Sequence, residues 1–117
     1  MSLNENYIEN CIFCKILNNT IPAKKIYEDE DVIAFNDINP KMPVHFLIVP
    51  KKHIEMLSNC DINNPEHVRL LGKMTILAPV LAHQQGCNDG FKITIHNGKG
   101  GGQEVFHLHM HVMGTPA

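Results

Sequence analysis

His107-Leu108-His109-Met110-His111 sets three imidazoles at alternate positions near the end of the chain. An imidazole can serve as neutral nucleophile, proton donor or metal ligand near neutral pH. In an extended strand the three rings share one face, about 6.8 Å between neighbours, while Phe106, Leu108, Met110 and Val112 share the other. A row of three gains nothing in packing or strand propensity over threonine or valine, which marks it as functional. Two imidazolium charges about 7 Å apart repel by about 2.4 kcal/mol at an effective dielectric of about 20. Protonating one ring therefore discourages protonation of the next, and the expected state near neutrality is mostly neutral with one shared proton. A neutral nucleophile beside a proton donor suits covalent phosphoryl transfer. The same row suits zinc or iron, with His45 or Glu104 completing the ligands.

The preceding segment separates these chemistries. Asn97-Gly98-Lys99-Gly100-Gly101-Gly102-Gln103 carries half of the chain's eight glycines. Glycines let backbone N–H groups approach an anion closely, and Lys99 and Gln103 add donors. Neither G-x-x-x-x-G-K-[ST] nor a G-x-G-x-x-G after a strand is present. An anion cradle running straight into three histidines favours a phosphate substrate over a catalytic metal. Cys11 and Cys14 form a C-x-x-C after the largely polar residues 4–10, whereas a redox motif would follow a buried strand. Half of a zinc site is a better reading than a redox pair, but it needs two further ligands, and without them the spacing is a chance one. Cys60 and Cys87 stand alone and read as buried thiols.

The elements that must hold these residues read as α+β. Residues 11–18 form a short helix, ended by Thr20-Ile21-Pro22. Strands follow over 24–28, 31–36 and 45–49. Asn64-Pro65-Glu66 opens one long helix whose stripe is Leu70, Met74, Leu77 and Leu81; Pro79 should kink it and weakens the helical pattern beyond Thr75. Phe91, Ile93 and Ile95 alternate with Lys92, Thr94 and His96 in a half-buried strand, and residues 105–113 form the last. The expected architecture is a mainly antiparallel five-stranded sheet covered by one long helix, with a short N-terminal helix.

Composition bounds the rest. At 117 residues and 13.2 kDa the chain is one domain, 11–117, after a polar extension over 1–10. With 44 % hydrophobic and 19 % charged residues it reads as a soluble globule. Ten basic against twelve acidic side chains give a formal charge of −2, so no nucleic-acid surface is expected. No apolar run approaches the roughly 18 residues of a membrane span, and no signal-peptide pattern opens the chain, which leaves a cytoplasmic expectation.

Several co-linear motifs resemble one known family. Gly101-Gly102-Gln103-Glu104-Val105-Phe106-His107-Leu108-His109-Met110-His111-Val112 looks like the signature of the histidine-triad (HIT) family. Ile12-Phe13-Cys14-Lys15-Ile16, Ala34-Phe35-Asn36-Asp37-Ile38-Asn39-Pro40 and Pro43-Val44-His45-Phe46-Leu47-Ile48-Val49-Pro50-Lys51-Lys52-His53 match in the same order. The branch it looks most like is Hint-like, the nucleotide-binding phosphoramidases. The resemblance implies a HIT-like fold, a homodimer, a purine nucleotide substrate and no catalytic cofactor. It implies that His109 attacks the α-phosphorus to form a nucleotidyl-histidine, which water then hydrolyses. His111 would contact phosphate oxygens, His45 would support it, and His107 would orient the nucleophile through its carbonyl. Gly102, Gln103 and Glu104 would sit at the phosphate with Asn97 nearby, and Asp37 would accept from the ribose hydroxyls. Ile12, Phe13, Ile16, Phe35, Asn36, Ile38 and Leu47 would wall base and sugar. Glu104 stands where the family sometimes has serine. The resemblance also completes a structural zinc site of Cys11, Cys14, His53 and His107, while His67, His83 and His96 fall outside every motif and are expected at the surface.

Overall fold

The structure, a computed structural model, describes residues 10–117, so the extension expected over 1–10 lies outside it apart from Asn10. Helix α1 (Ile12–Leu17) begins at Cys11, whose sulfur accepts the Cys14 N–H at 3.4 Å. Strands β1 (Lys25–Glu28), β2 (Val32–Asn36) and β3 (Val44–Pro50) precede helix α2 (Pro65–Gln84), and β4 (Lys92–Thr94) and β5 (Met110–Gly114) close the chain. The strands form one antiparallel sheet in the order β1-β2-β3-β5-β4. This is the α+β architecture read from the sequence.

Central β3 is buried on both faces because each face has its own core. Val44, Phe46 and Ile48 pack with Leu70, Met74, Ala78 and Leu81 of α2. Leu47 and Val49 pack with Phe13 and Ile16 of α1 and with Ile33 and Phe35 of β2. Apolar burial on both sides fixes the sheet's register, since a slip of one residue would exchange the two sets.

Helix α2 runs through Pro79 to Gln84 and so holds the whole expected stripe from Leu70 to Leu81. Pro79 denies an N–H to the Thr75 carbonyl, but Ala78, Leu81 and Ala82 around it are buried against the sheet, and that packing outweighs one lost bond. Asn64 caps the start, its Oδ1 accepting the N–H groups of Glu66 and His67. Arg69 and Lys73 then clamp the β1–β2 turn. Arg69 grips Asp31 through two bonds of 3.0 and 3.1 Å, and Lys73 lies 2.8 Å from both Asp29 and Asp31.

The last two strands are shorter than the alternation predicts. β5 begins at Met110, not at 105, because the Leu108 N–H donates to the Ile54 carbonyl at 2.6 Å and leaves the ladder. Leu108, Met110 and Val112 still reach the α2 core, but Phe106 is 41 % exposed and does not join them. Edge strand β4 covers only Lys92–Thr94 of the expected 91–96, and Ile93 is 38 % exposed. Gly114 ends β5 where a Cβ would lie 2.9 Å from the Cys87 sulfur and 3.1 Å from the Gly90 carbonyl.

Candidate active site

The late start of β5 splits the histidine row. His107 turns to the start of α1, whereas His109 and His111 face a cavity of about 830 Å³. Each ring is held by a hydrogen bond that fixes where its hydrogen sits, since a carbonyl only accepts and an N–H only donates. His109 donates its Nδ1–H to the His107 carbonyl at 2.7 Å, which leaves the Nε2 lone pair open. His45 accepts the Lys41 N–H on Nδ1 at 2.9 Å, so its hydrogen is on Nε2 and donates to His111 Nδ1 at 2.9 Å. His111 therefore carries its own hydrogen on Nε2. One lone pair and one N–H thus stand side by side, with the rings of His109 and His111 5.0 Å apart.

All these rings are biased toward neutrality. Burial pushes His109 below the ordinary imidazole value against the pull of the His107 carbonyl. Burial first, then His109, His45 and His96, lowers His111 to about 4, and burial lowers His45 against the attraction of Asp37. These downward shifts favour neutral rings, each with one nitrogen lone pair, at neutral pH.

The cavity wall combines apolar and polar side chains. Ile12, Phe13, Ile16, Phe35, Ile38 and Leu47 line it, and the ring of Phe13 meets His109 edge-on at 5.0 Å. Asn36 and Asp37 also line it, with Asp37 Oδ2 3.4 Å from His45 Nε2 and 4.0 Å from His111 Nδ1. Gly102, with φ of +83°, and Glu104 form part of the glycine-loop side. The loop itself differs from an open anion cradle. The N–H groups of Gly101, Gly102 and Gln103 are spent on carbonyls of Gly98 and Lys99 in a tight turn. Gln103 and Asn97 do not line the cavity. Gln103 braces the loop, accepting the Gly98 N–H and donating to the Glu55 and Val105 carbonyls, and Asn97 accepts the Ser58 N–H at 2.8 Å.

His96 is the cavity residue that the motif reading missed. It lines the wall, meets His111 edge-on at 5.3 Å and donates Nδ1–H to the Gly101 carbonyl at 2.8 Å. The signal was there: Thr94 pairs with His111, and His96 follows two residues later on the same face. Lys24, Lys41 and Met113 also line the cavity.

Among the described residues, two groups of side chains have metal-ligand composition, and their hydrogen-bond partners separate them. The ligand atoms of Cys11, Cys14, His53 and His107 lie within 4.8 Å of one another. His107 Nδ1 is 3.2 Å from Cys11 Sγ and 3.6 Å from Cys14 Sγ, and His53 Nδ1 is 3.4 Å from Cys14 Sγ. Tetrahedral zinc needs sulfur-to-nitrogen edges of about 3.6 Å. His107 donates Nε2–H to the Pro50 carbonyl at 2.8 Å, so its lone pair points at the sulfurs. Burial lowers His107 to about 4 and also lowers His53, keeping both rings in the ligating form. These residues fit zinc. Asp37, His45 and His111 form the second group. It does not fit, because the Lys41 N–H holds the hydrogen of His45 on Nε2, the atom that would have to ligate.

An antiparallel sheet under one long helix, with two histidines of a triad in a cavity and the third facing cysteines, defines a histidine-triad domain. The chain belongs to the HIT family, whose domain model matches residues 18–117. It is similar to Protein HitA of Neisseria gonorrhoeae, 53 % identical over 109 residues that cover 93 % of this chain and 99 % of the relative. It is 42 % identical to the 14 kDa zinc-binding protein of Zea mays, over 88 % of this chain and 80 % of that one. A solved HIT family hydrolase from Legionella pneumophila superposes with a TM-score of 0.83 at 42 % identity, covering 90 % of this chain and 92 % of the other.

Proposed function

We propose that the protein is a nucleotide-binding hydrolase of the Hint-like branch, a phosphoramidase that releases a nucleoside monophosphate through a nucleotidyl-His109 intermediate. The observation that carries this reading is the open Nε2 lone pair of His109 on the wall of a cavity that also has apolar lining residues. In the first step that lone pair bonds the α-phosphorus while the bond from phosphorus to the leaving nitrogen breaks. The nitrogen departs with the electron pair, takes up a proton and leaves as an amine. The positive charge that forms on His109 is met by the His107 carbonyl at Nδ1–H. In the second step a water oxygen bonds phosphorus, the P–Nε2 bond breaks toward nitrogen, and the water's proton is released, balancing the one taken up. His111 Nε2–H donates to a phosphate oxygen throughout.

The apolar wall suits a purine base, and the Asp37 carboxylate suits the ribose hydroxyls. The name of the Legionella structure supports hydrolysis. Zinc at Cys11, Cys14, His53 and His107 would be structural, tying α1 to the segments that follow β3 and precede β5, and the maize relative's name supports it. Exposed Ile76 and Val80 on one face of α2, with Ile93 on edge strand β4, support a homodimer. No described helix is long and apolar enough to cross a membrane, the formal charge of −2 does not favour nucleic acid, and a cytoplasmic location remains part of the proposal. The test is turnover of adenosine 5′-phosphoramidate by the wild type and by folded His109→Ala. The proposal expects release of AMP by the wild type alone; turnover by the variant would overturn it.

A further inference from the structure

The proposed chemistry uses two cavity imidazoles and leaves a third without a task. His109 Nε2 is committed to phosphorus and His111 Nε2–H to a phosphate oxygen. His96 stands beyond His111 on the same wall, ring to ring at 5.3 Å. Its Nδ1–H is held by the Gly101 carbonyl at 2.8 Å, so Nε2 is the one ring nitrogen left to meet a ligand, and in the neutral ring it is an acceptor. Glu104 also lines the cavity and adds a carboxylate to it. The apolar residues that suit a base come instead from α1, β2 and β3.

We propose that His96 recognises the leaving group: its Nε2 accepts a hydrogen bond from an N–H of the departing amine, and Glu104 draws amines that carry a second, cationic nitrogen. The inference rests on the phosphoramidase reading and narrows it. A leaving group with N–H donors meets two acceptors here. An anionic leaving group, such as the phosphate chain of a dinucleoside polyphosphate, meets a lone pair and a carboxylate and is disfavoured. Ring shape alone does not supply this selection, because it depends on the acceptor at Nε2.

The experiment compares substrates that share adenosine 5′-phosphate and differ in the leaving group: methylamine, dimethylamine, 1,2-diaminoethane, inorganic phosphate and p-nitrophenol. kcat/KM is measured for the wild type, His96→Phe and Glu104→Gln. The expected result for His96→Phe is a loss on the methylamine substrate about tenfold larger than on the p-nitrophenyl ester, the effect of one lost hydrogen bond. Glu104→Gln is expected to lower turnover of the diaminoethane substrate more than that of the methylamine one. Equal losses across all leaving groups would show a merely structural role and overturn the inference. If His96→Phe does not fold, the wild type decides through its preference for methylamine over dimethylamine and phosphate, and no preference overturns the inference. Cleavage of the ester without any phosphoramidate turnover would instead overturn the underlying reading.

Discussion

Replacing His45 with phenylalanine removes the donor that fixes the tautomer of His111. The His45 Nε2–H bond to His111 Nδ1 is 2.9 Å long, and His45 is 5 % exposed, so water does not readily take its place. Two routes remain for His111. It can keep its hydrogen on Nε2 and leave Nδ1 as a buried acceptor without a partner, at about 1–3 kcal/mol. It can instead move the hydrogen to Nδ1, which Asp37 Oδ2 at 4.0 Å favours, and present a lone pair to the phosphate oxygens. The second route avoids that cost, and the loss of the donor to phosphate then raises the barrier by about 1–3 kcal/mol, roughly 5- to 150-fold in kcat/KM. His45→Gln keeps a donor near the same place and should lose less. The assay pairs phosphoramidate turnover with ¹⁵N NMR of the His111 ring, which distinguishes the two tautomers. Turnover by His45→Phe within twofold of the wild type, with His111 still protonated on Nε2, would refute the reasoning.

Elemental analysis of the purified protein should give about one zinc per chain, held by two cysteines and two histidines, and chelation should lower the melting temperature. Less than a tenth of an equivalent, with no effect of chelator on melting, would contradict the site. The Arg69 and Lys73 clamp holds Asp31 down to about 2. Its folded value lies below the unfolded one, so its stabilisation is full above about pH 4 and is lost as pH falls through about 2. Asp31→Asn should therefore lower the melting temperature at neutral pH, with the difference from wild type shrinking below about pH 4; a difference constant with pH would contradict the pairing. Gly114→Ala should destabilise by about 1–3 kcal/mol, because its methyl group would strike the Gly90 carbonyl as well as the Cys87 sulfur. An unchanged denaturation midpoint would show that the 86–90 turn yields freely.

Periodicity carried the architecture and failed where single bonds overrode it. Alternation from Phe106 to Val112 correctly paired Leu108, Met110 and Val112, since burial against α2 enforces that face. It could not show that the Leu108 N–H leaves the sheet for Ile54, a contact between residues far apart in sequence. That bond explains why three evenly spaced histidines serve two sites. The extension of α2 past Pro79 had a similar cause, because the packing of Leu81 and Ala82 comes from the sheet and not from the helix's own sequence.

The site was legible where a side chain type had few other uses. Cys11, Cys14, His53 and His107 meet in space, as the resemblance implied. The glycine loop was read as an open cradle, but its N–H groups and the Gln103 amide close on the loop itself. The resemblance put Asn97 near the phosphate, yet its side chain accepts the Ser58 N–H, and the cavity receives its neighbour His96. A period of two counted forward from Thr94 would have favoured His96 over Asn97. The tautomers of His45, His107 and His109 were beyond any sequence, since each depends on which backbone group, a carbonyl or an N–H, lies opposite.

The central claim is that His109 Nε2 forms a bond to phosphorus. Intact-protein mass spectrometry after rapid quenching of wild-type turnover, with fragmentation to locate the adduct, tests it directly. The account predicts a nucleotidyl adduct on His109 that is absent from His109→Ala and decays as the nucleoside monophosphate appears. Steady turnover with no adduct at any quench time, or an adduct on another residue, would contradict it.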